Sequence, residues 1–307
     1  MKIISAVLVS LLAACGPADR EGPGDPNDPN DPNDPNDPND PGMPEQCNKM
    51  DILFVVDDSG SMEQEQSNLA ANFPMFAQLL SDYVTPDGDH VDYRIAVTTT
   101  GRDQDYTAQG LPFPIHEGGD NGAFKNNCGL NKRFIEPTDA NMQSTLSCRA
   151  NVGISGPSYE MPLLMSRWAL SERIMDGTNA GFLRDDALLG VIYLTDEDDL
   201  STDTNNWSIG ISSGPTPNWH PADQVQFFDA LKGHRTKWAA GVIAGETSCM
   251  SSFGDAAQAT RLKEFVDLAN ANGTTQATFS SICNGDLTSN LQQILATFQA
   301  ACGNILL

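Results

Sequence analysis

Three oxygen-bearing side chains occupy alternate positions of one short segment, namely Asp57, Ser59 and Ser61. Because Gly60 lets the backbone turn within this segment, one carboxylate and two hydroxyls can converge on a single point. Oxygen ligands of this kind suit hard divalent cations. The segment therefore predicts a metal site that contains these three residues. The alternative is that they form the N-cap of the following helix on a structural loop.

An apolar run precedes this segment and predicts the element that positions it. Residues 52–56 read Ile-Leu-Phe-Val-Val, which is typical of a strand buried on both faces of a parallel sheet. Ligands of open α/β sheets bind in the crevice outside the carboxyl ends of the strands, and residues 57–61 follow such an end. A second buried strand, residues 188–195, also ends in acidic residues, at 196–199.

Strand and helix patterns alternate through the body of the chain. Further strands are predicted at residues 93–99, 133–135, 238–244 and 277–282, and helices at 63–83, 159–175, 224–231, 260–271 and 286–301. This alternation predicts an α/β fold with a doubly wound, mostly parallel central sheet and helices on both faces. We expect Pro74 to bend the first helix or to reset its start.

The motif at residues 57–61 and the order of elements resemble the von Willebrand factor A (VWA, integrin I-like) domain family over roughly residues 50–303. In that family the sequence Asp-x-Ser-x-Ser follows the first strand and begins the metal-ion-dependent adhesion site (MIDAS). The resemblance implies a Rossmann-like VWA fold. It also implies that Asp196 is a metal ligand, because the family contributes an aspartate from the end of the fourth strand.

The family completes its site with a threonine from a second loop, and the corresponding residues here, 153–160, contain no threonine. Ser158 could supply the hydroxyl and is predicted as the fifth ligand, with Ser155 and Glu160 as alternatives. If Glu160 coordinated the metal, it would occupy the position that a ligand's carboxylate normally fills. The resemblance implies a divalent cation, Mg²⁺ before Mn²⁺ or Ca²⁺, and a protein partner that offers a carboxylate.

The remaining acidic residues near the motif, Asp58 and residues 197–199, have two interpretations. They are either outer contacts of the metal site or a nearby calcium site, or they form a solvated acidic loop. Since charge runs are usually solvated, we expect the solvated loop.

The N-terminus predicts a secreted, lipid-anchored protein. Residues 1–14 have a basic start and a short apolar run, as in a signal peptide, and Leu-Ala-Ala-Cys at 12–15 resembles the bacterial lipobox with Cys15 as the lipidated residue. No aspartate follows Cys15, so we expect the bacterial outer membrane or cell surface. The lipid is the only expected membrane contact.

Residues 15–46 are predicted to form a disordered, extended stalk. The triplet Asp-Pro-Asn runs five times over residues 25–39. Proline at every third position prevents a helix or a strand ladder, and such segments are extended. The VWA-like domain then covers residues 47–307, with a polar insertion at about 101–150 that is a candidate for shaping the binding surface.

Six cysteines follow Cys15, an even number in an oxidising compartment, which predicts up to three disulfides. The ends of a compact domain are commonly neighbours, which suggests a bond between Cys47 and Cys302. Proximity in the chain suggests the pairs Cys128–Cys148 and Cys249–Cys283, although six cysteines allow fifteen pairings.

Charge and motif content bound the function. The net charge of −24 argues against nucleic acid as a partner, because phosphate contacts need clustered Lys and Arg. The four histidines are scattered without metalloprotease spacing, and Ser59 has no identifiable general base, so we expect no enzymatic activity. The expected function is a surface-anchored, metal-dependent protein-binding module with a MIDAS-like site. The alternative is a structural surface or periplasmic lipoprotein whose VWA scaffold binds no ligand through metal.

Overall fold

A computed structural model describes residues 47–85, 88–108, 110–204, 207–209, 214–252, 254–285 and 287–303. The predicted signal peptide, the lipidated Cys15 and the Asp-Pro-Asn stalk lie outside the described residues. Within those ranges, every helix is too short or too polar to cross a membrane.

The described residues contain eleven strands and seven α-helices. The strands are β1 (Lys49–Val56), β2 (Asp92–Thr99), β3 (Gln104–Ala108), β4 (Ile115–Glu117), β5 (Phe134–Ile135), β6 (Leu188–Leu194), β7 (Trp207–Ile209), β8 (Trp238–Ala244), β9 (Cys249–Ser251), β10 (Gly254–Ala256) and β11 (Ala277–Ser281). The helices are α1 (Glu63–Asp82), α2 (Met142–Ala150), α3 (Pro162–Leu170), α4 (Glu172–Met175), α5 (Pro221–Lys232), α6 (Thr260–Ala269) and α7 (Leu287–Gly303). Helix α1 continues through Pro74.

Six strands form the central sheet in the order β11-β8-β6-β1-β2-β5. All neighbours pair in parallel except β2 and β5, which are antiparallel. The predicted α/β class with a mostly parallel sheet is therefore confirmed. Because β1 lies between β2 and β6, the polar residues that follow it lie at the middle of one sheet edge.

Both faces of the sheet are covered by helices, and β1 shows this residue by residue. Ile52, Phe54 and Val56 belong to one buried cluster, which includes apolar side chains of α1, α2 and α7. Leu53 and Val55 belong to a second buried cluster on the other face, which includes apolar side chains of α3, α5 and α6. Burial on both faces explains why the sequence of β1 is apolar without alternation.

Helix α7 packs on the sheet through glycines. A Cβ atom added to Gly190 of β6 would lie 2.4 Å from the Phe298 ring, and one added to Gly241 of β8 would lie 2.5 Å from Ile294. Side chains of α7 therefore occupy the space above these two glycines. This close approach requires glycine for steric reasons, since real Cβ atoms do not make such short contacts.

The insertion at residues 101–150 contains more regular structure than the sequence predicted. One short strand was expected near residues 133–135, and β5 lies there. The structure adds β3, β4 and α2, and β3 pairs antiparallel to β4 and parallel to β7. These strands are only five and three residues long, so their sequences show no readable period.

Three disulfides join described residues, and they are the pairs that chain order suggested. The bond Cys47–Cys302 links the residues just before β1 to the end of α7 across 255 residues. The bond Cys128–Cys148 closes a loop within the insertion, and Cys249–Cys283 ties β9 to the turn after β11.

We expect Gly190→Ala to lower the free energy of unfolding by about 1–3 kcal/mol, because the added methyl group would overlap the Phe298 ring. Urea unfolding followed by circular dichroism measures the change. Gly303→Ala at the end of α7 is the matched control, since a Cβ there meets no atom within 4 Å. Equal stability of the two variants would show that α7 does not pack this tightly on β6.

Candidate metal site

Strand register brings three polar segments to one edge of the sheet. Val56 of β1 pairs with Thr99 of β2 and with Leu194 of β6, so the three strands end side by side. The backbone N–H of Asp57 donates to the carbonyl oxygen of Leu194 at 2.9 Å. The residues that follow these strands therefore share one crevice at their carboxyl ends.

Asp57 is fully buried at the centre of this crevice. Its Oδ1 accepts a hydrogen bond from the Ser59 N–H at 2.8 Å, and its Oδ2 accepts one from the Thr195 hydroxyl at 2.6 Å. The Gln66 side-chain amide donates to the Asp57 carbonyl oxygen at 2.7 Å. Burial raises the pKa of Asp57, while the bonds from Thr195 and Ser59 oppose that shift. These contacts fix the orientation of the carboxyl group.

Ser59, Ser61 and Asp196 lie beside Asp57. The two serine hydroxyls are 2.9 Å apart, and Ser61 also bonds to the Asp196 carboxyl. Asp196 is buried, and its Oδ1 has no hydrogen-bond partner among the described residues. Burial, followed by the nearby Asp57 carboxylate, raises the pKa of Asp196 to about 7. The structure thus brings these four residues together.

The three alternatives for the remaining ligand occupy different environments. Ser155 and Ser158 are exposed, and Ser158 donates to Glu117 of β4 through its N–H at 2.9 Å and its hydroxyl at 2.8 Å. Glu160 is only 1% exposed, its carboxyl oxygens accept from no N–H or hydroxyl group among the described residues, and the Glu197 carboxyl lies within hydrogen-bonding reach of it. Burial, then the carboxyls of Asp57 and Glu197, raise the pKa of Glu160 well above its ordinary value.

Backbone contacts with two neighbouring loops hold Glu160 in this position. The Leu200 N–H donates to the Glu160 carbonyl oxygen at 2.9 Å, and the Met161 N–H donates to the Thr100 carbonyl oxygen at 3.1 Å. These bonds keep residues 159–161 out of the helix that the sequence predicted there, and α3 begins at Pro162. Proline suits a first helical position because its missing N–H would be unpaired there in any case.

The acidic residues near the motif are not a solvated loop, so that prediction was wrong. Asp58 is 8% exposed, and burial raises its pKa to about 7. Asp199 is fully buried and accepts hydrogen bonds from the Leu163 N–H at the start of α3 and from the Ser201 hydroxyl. Asp198 accepts hydrogen bonds from backbone N–H groups in the first turn of α6. These two acids therefore serve helix N-termini.

Sequence reasoning missed one buried acid next to the site. Glu65 in the first turn of α1 is 2% exposed, and burial raises its pKa, with Asp255 and Asp57 acting in the same direction. A Cβ on Gly254 would lie 1.4 Å from Glu65 Oε1, so the β9–β10 hairpin packs directly on this carboxyl. The only sequence signal was its place four residues after Ser61, about one helical turn.

A cavity of about 470 Å³ adjoins the site. Its lining includes Asp196, Glu197 and Asp255 together with the residues of β9 and β10 that face them. Met250 on the rim is 85% exposed. The cavity thus combines acidic groups with an apolar wall beside the buried carboxyls.

The donor set fits a divalent cation. The unpartnered oxygens of Asp196 and Glu160 and the hydroxyls of Ser59 and Ser61 are hard donors near the Asp57 carboxyl. Within the described residues, no three Cys, His, Asp or Glu side chains are already arranged as a metal-binding group. A cation here would therefore also need hydroxyl and water ligands, as Mg²⁺ commonly does.

Comparisons with known proteins gave similarity in solved structures only. No family model and no curated protein matches the chain. It is 12% identical to proximal thread matrix protein 1 of the mussel byssus, with a TM-score of 0.42, covering 82% of this chain and 49% of that one. For the open conformation of the pilus adhesin SpaC from Lactobacillus rhamnosus GG, the identity is 10% and the TM-score is 0.43, and the match covers 82% of this chain and 30% of that one. For the manganese-loaded TRAP protein of Plasmodium vivax, the identity is 10% and the TM-score is 0.37, and the match covers 81% of this chain and 74% of that one.

The chain thus spans about half the length of the mussel protein and under a third of the pilus adhesin. A further structure of the mussel protein has a zinc-occupied MIDAS motif. At these scores the likeness carries no conclusion about the function of this chain.

We expect Thr195→Val to lower the free energy of unfolding by about 1–3 kcal/mol, because the buried Asp57 carboxyl loses its hydroxyl donor. Urea unfolding in a metal chelator measures the change. Thr99→Val at the end of β2 is the matched control, since the Thr99 hydroxyl is buried and has no partner among the described residues. Equal losses in the two variants would contradict the role of the Thr195 bond.

Proposed function

We propose that this protein binds a divalent cation at the carboxyl edge of its sheet and uses that cation to bind a partner protein. The proposed ligands are Asp57, Ser59, Ser61 and Asp196. One observation carries the proposal: Asp196 and Glu160 are buried beside Asp57, and one carboxyl oxygen of Asp196 and both of Glu160 accept from no N–H or hydroxyl group among the described residues. Burying neighbouring carboxylates is unfavourable unless a proton or a cation compensates them.

Each proposed ligand has a defined task. The Ser59 N–H and the Thr195 hydroxyl orient the Asp57 carboxylate, which is the central ligand. Ser59 and Ser61 offer neutral hydroxyl oxygens, and Asp196 offers the second negative charge. A bound cation would supply positive charge and exchangeable coordination positions, and Mg²⁺ is the first expectation, with Mn²⁺ and Ca²⁺ as alternatives.

The proposed partner is a protein that offers a carboxylate. The surface around the site suits such a contact, because the exposed Met250 lies on the rim of the adjoining cavity. The net charge of −24 makes nucleic acid an unsuitable partner. The proposal includes no catalytic step.

The proposed location is the bacterial outer membrane or cell surface. The signal-peptide pattern of residues 1–14 and the lipobox-like residues that end in Cys15 support a lipid anchor there. Residues 15–46 would then act as the stalk that separates the anchor from the binding domain.

A second function has a specific observation in its favour. The Glu160 carboxyl already lies beside Asp57, so a cation bound here would have an additional internal partner. In that case the metal would stabilise the loops of a structural surface or periplasmic lipoprotein without binding a ligand. The two functions differ in whether a partner depends on the cation.

We expect calorimetric titration of Mg²⁺, Mn²⁺ and Ca²⁺ to show saturable binding that Asp57→Asn abolishes, because the variant loses the central carboxylate. Asp198→Asn is the matched control: it removes a carboxylate from the neighbouring loop that binds the start of α6 instead. Binding that survives Asp57→Asn, or that Asp198→Asn abolishes equally, would contradict the assigned ligands.

We expect immobilised protein to retain a protein from a cell-surface extract in Mg²⁺ and to release it in chelator. Asp57→Asn should retain nothing, and Asp198→Asn should behave as the parent protein. Retention that is indifferent to chelator and to Asp57→Asn would contradict metal-dependent binding. Intact metal binding without any retained protein would favour the structural alternative.

A further inference from the structure

We propose that the Glu160 carboxylate closes onto the cation when the site is loaded and serves as an internal ligand, so that the metal-loaded resting site is closed by the chain's own carboxylate. A partner's carboxylate then binds the metal only by displacing Glu160. This inference rests on the proposed function, specifically on a cation held by Asp57 and Asp196, and it adds a self-ligated resting state.

The first argument is the contact geometry of Glu160. Glu160 is 1% exposed, and the carboxyls of Asp57 and Glu197 act on it electrostatically. Its oxygens accept no hydrogen bond from an N–H or hydroxyl group in the described part of the chain, and the side chain within hydrogen-bonding reach is another acid, Glu197. An ionised carboxylate can only accept hydrogen bonds, so two neighbouring carboxylates repel each other. They can be buried side by side only if one is protonated or if a cation lies between them.

The second argument is that the backbone holds Glu160 at the site. Residues on both sides are anchored, because the Gly156 N–H donates to the Asp58 carbonyl oxygen at 2.6 Å and the Met161 N–H donates to that of Thr100 at 3.1 Å. A Cβ on Gly156 would lie 2.2 Å from Asp58 Oδ1, so this loop passes directly over the first motif. The segment that carries Glu160 is therefore docked on the loop that carries the proposed ligands.

The third argument concerns the competing hydroxyl. Ser158 donates its hydroxyl hydrogen bond to Glu117 at 2.8 Å, and its side chain is exposed. Glu117 thus engages the residue that would otherwise take the place of the family threonine. Glu160, two residues later in the same loop, is buried.

A divalent cation bound by three carboxylates forms a site with a net negative charge. The carboxylates of Asp57 and Asp196 together neutralise a divalent cation, and the Glu160 carboxylate adds one negative charge in excess. A further anion is disfavoured by that excess, because like charges repel strongly in a buried site. Removing the Glu160 charge should therefore open the metal to external carboxylates.

The test uses Tb³⁺ bound to the protein as the probe, with luminescence lifetimes in H₂O and D₂O to count metal-bound waters. We expect Glu160→Ala to raise this count by about one or two relative to the parent, for a monodentate or bidentate carboxylate. Glu65→Ala is the comparison variant, because Glu65 is also buried, interacts with Asp57 and has carboxyl oxygens without a donor among the described residues, but belongs to α1. Its water count should stay at the parent value.

Acetate provides the second readout as a small external carboxylate. Millimolar acetate should displace more metal-bound water in Glu160→Ala than in the parent, because three carboxylates balance the charge of Tb³⁺ in the parent, whereas the variant leaves one positive charge uncompensated. Near-ultraviolet circular dichroism identifies any variant that has lost its native packing, and Glu160→Gln, which keeps the side-chain shape, then replaces Glu160→Ala in the acetate titration.

The outcomes separate the two proposals. Failure of the parent protein to bind Tb³⁺, Mg²⁺, Mn²⁺ or Ca²⁺ would overturn the proposed function itself. Tb³⁺ binding with equal water counts in the parent and in folded Glu160→Ala would overturn only the internal ligand. A rise in Glu65→Ala but not in Glu160→Ala would also overturn it, since the internal carboxylate would then come from α1.

Discussion

The parallel pairing of β1 with both β2 and β6 is the constraint on which the rest of the site depends. Val56 is opposite Thr99 and Leu194, and the bond from the Asp57 N–H to Leu194 extends this ladder into the loop. A shift of one residue would move the alternate side chains of β1 into the wrong core on each face. The two packed faces therefore fix where Asp57 lies before any side chain contacts it.

The acidic residues at this edge divide according to what compensates their charge. Asp198 and Asp199 accept hydrogen bonds from N–H groups at helix starts, and Arg261 contacts Asp199. Helix N-termini favour negative charge, so these acids are compensated within the protein. Asp196, Glu160 and Glu65 retain oxygens without such donors among the described residues. This difference separates acids that the protein itself compensates from acids that need a proton or a cation.

Segments outside the central sheet decide which loop residues face the site. Glu117 of β4 engages Ser158, and the hairpin of β9 and β10 packs Gly254 on Glu65. The Cys249–Cys283 bond ties that hairpin to the turn after β11. The peripheral elements therefore form the walls of the crevice, while the sheet provides its floor.

The sequence by itself determined the sheet, the order of its elements and the core of the motif. Continuous burial of residues 52–56, the spacing of Asp57, Ser59 and Ser61, and the acid after β6 are local patterns, and local patterns can be read without coordinates. The pairing suggested for the cysteines also followed from chain order, since domain ends and short loops bring residues together.

Only the tertiary structure decided which residue of 153–160 faces Asp57. It also decided that Glu65 lies beside Asp57, and that Asp198 and Asp199 bind the N-terminal N–H groups of helices. Each of these depends on hydrogen bonds between segments far apart in the chain, such as Leu200 to Glu160 and Ser158 to Glu117. Such bonds leave no period or spacing in the sequence, because either partner alone is an ordinary polar residue of a loop. The physical reason is that buried polar groups form hydrogen bonds with whichever donors and acceptors lie near them, and only the complete fold determines which groups are near.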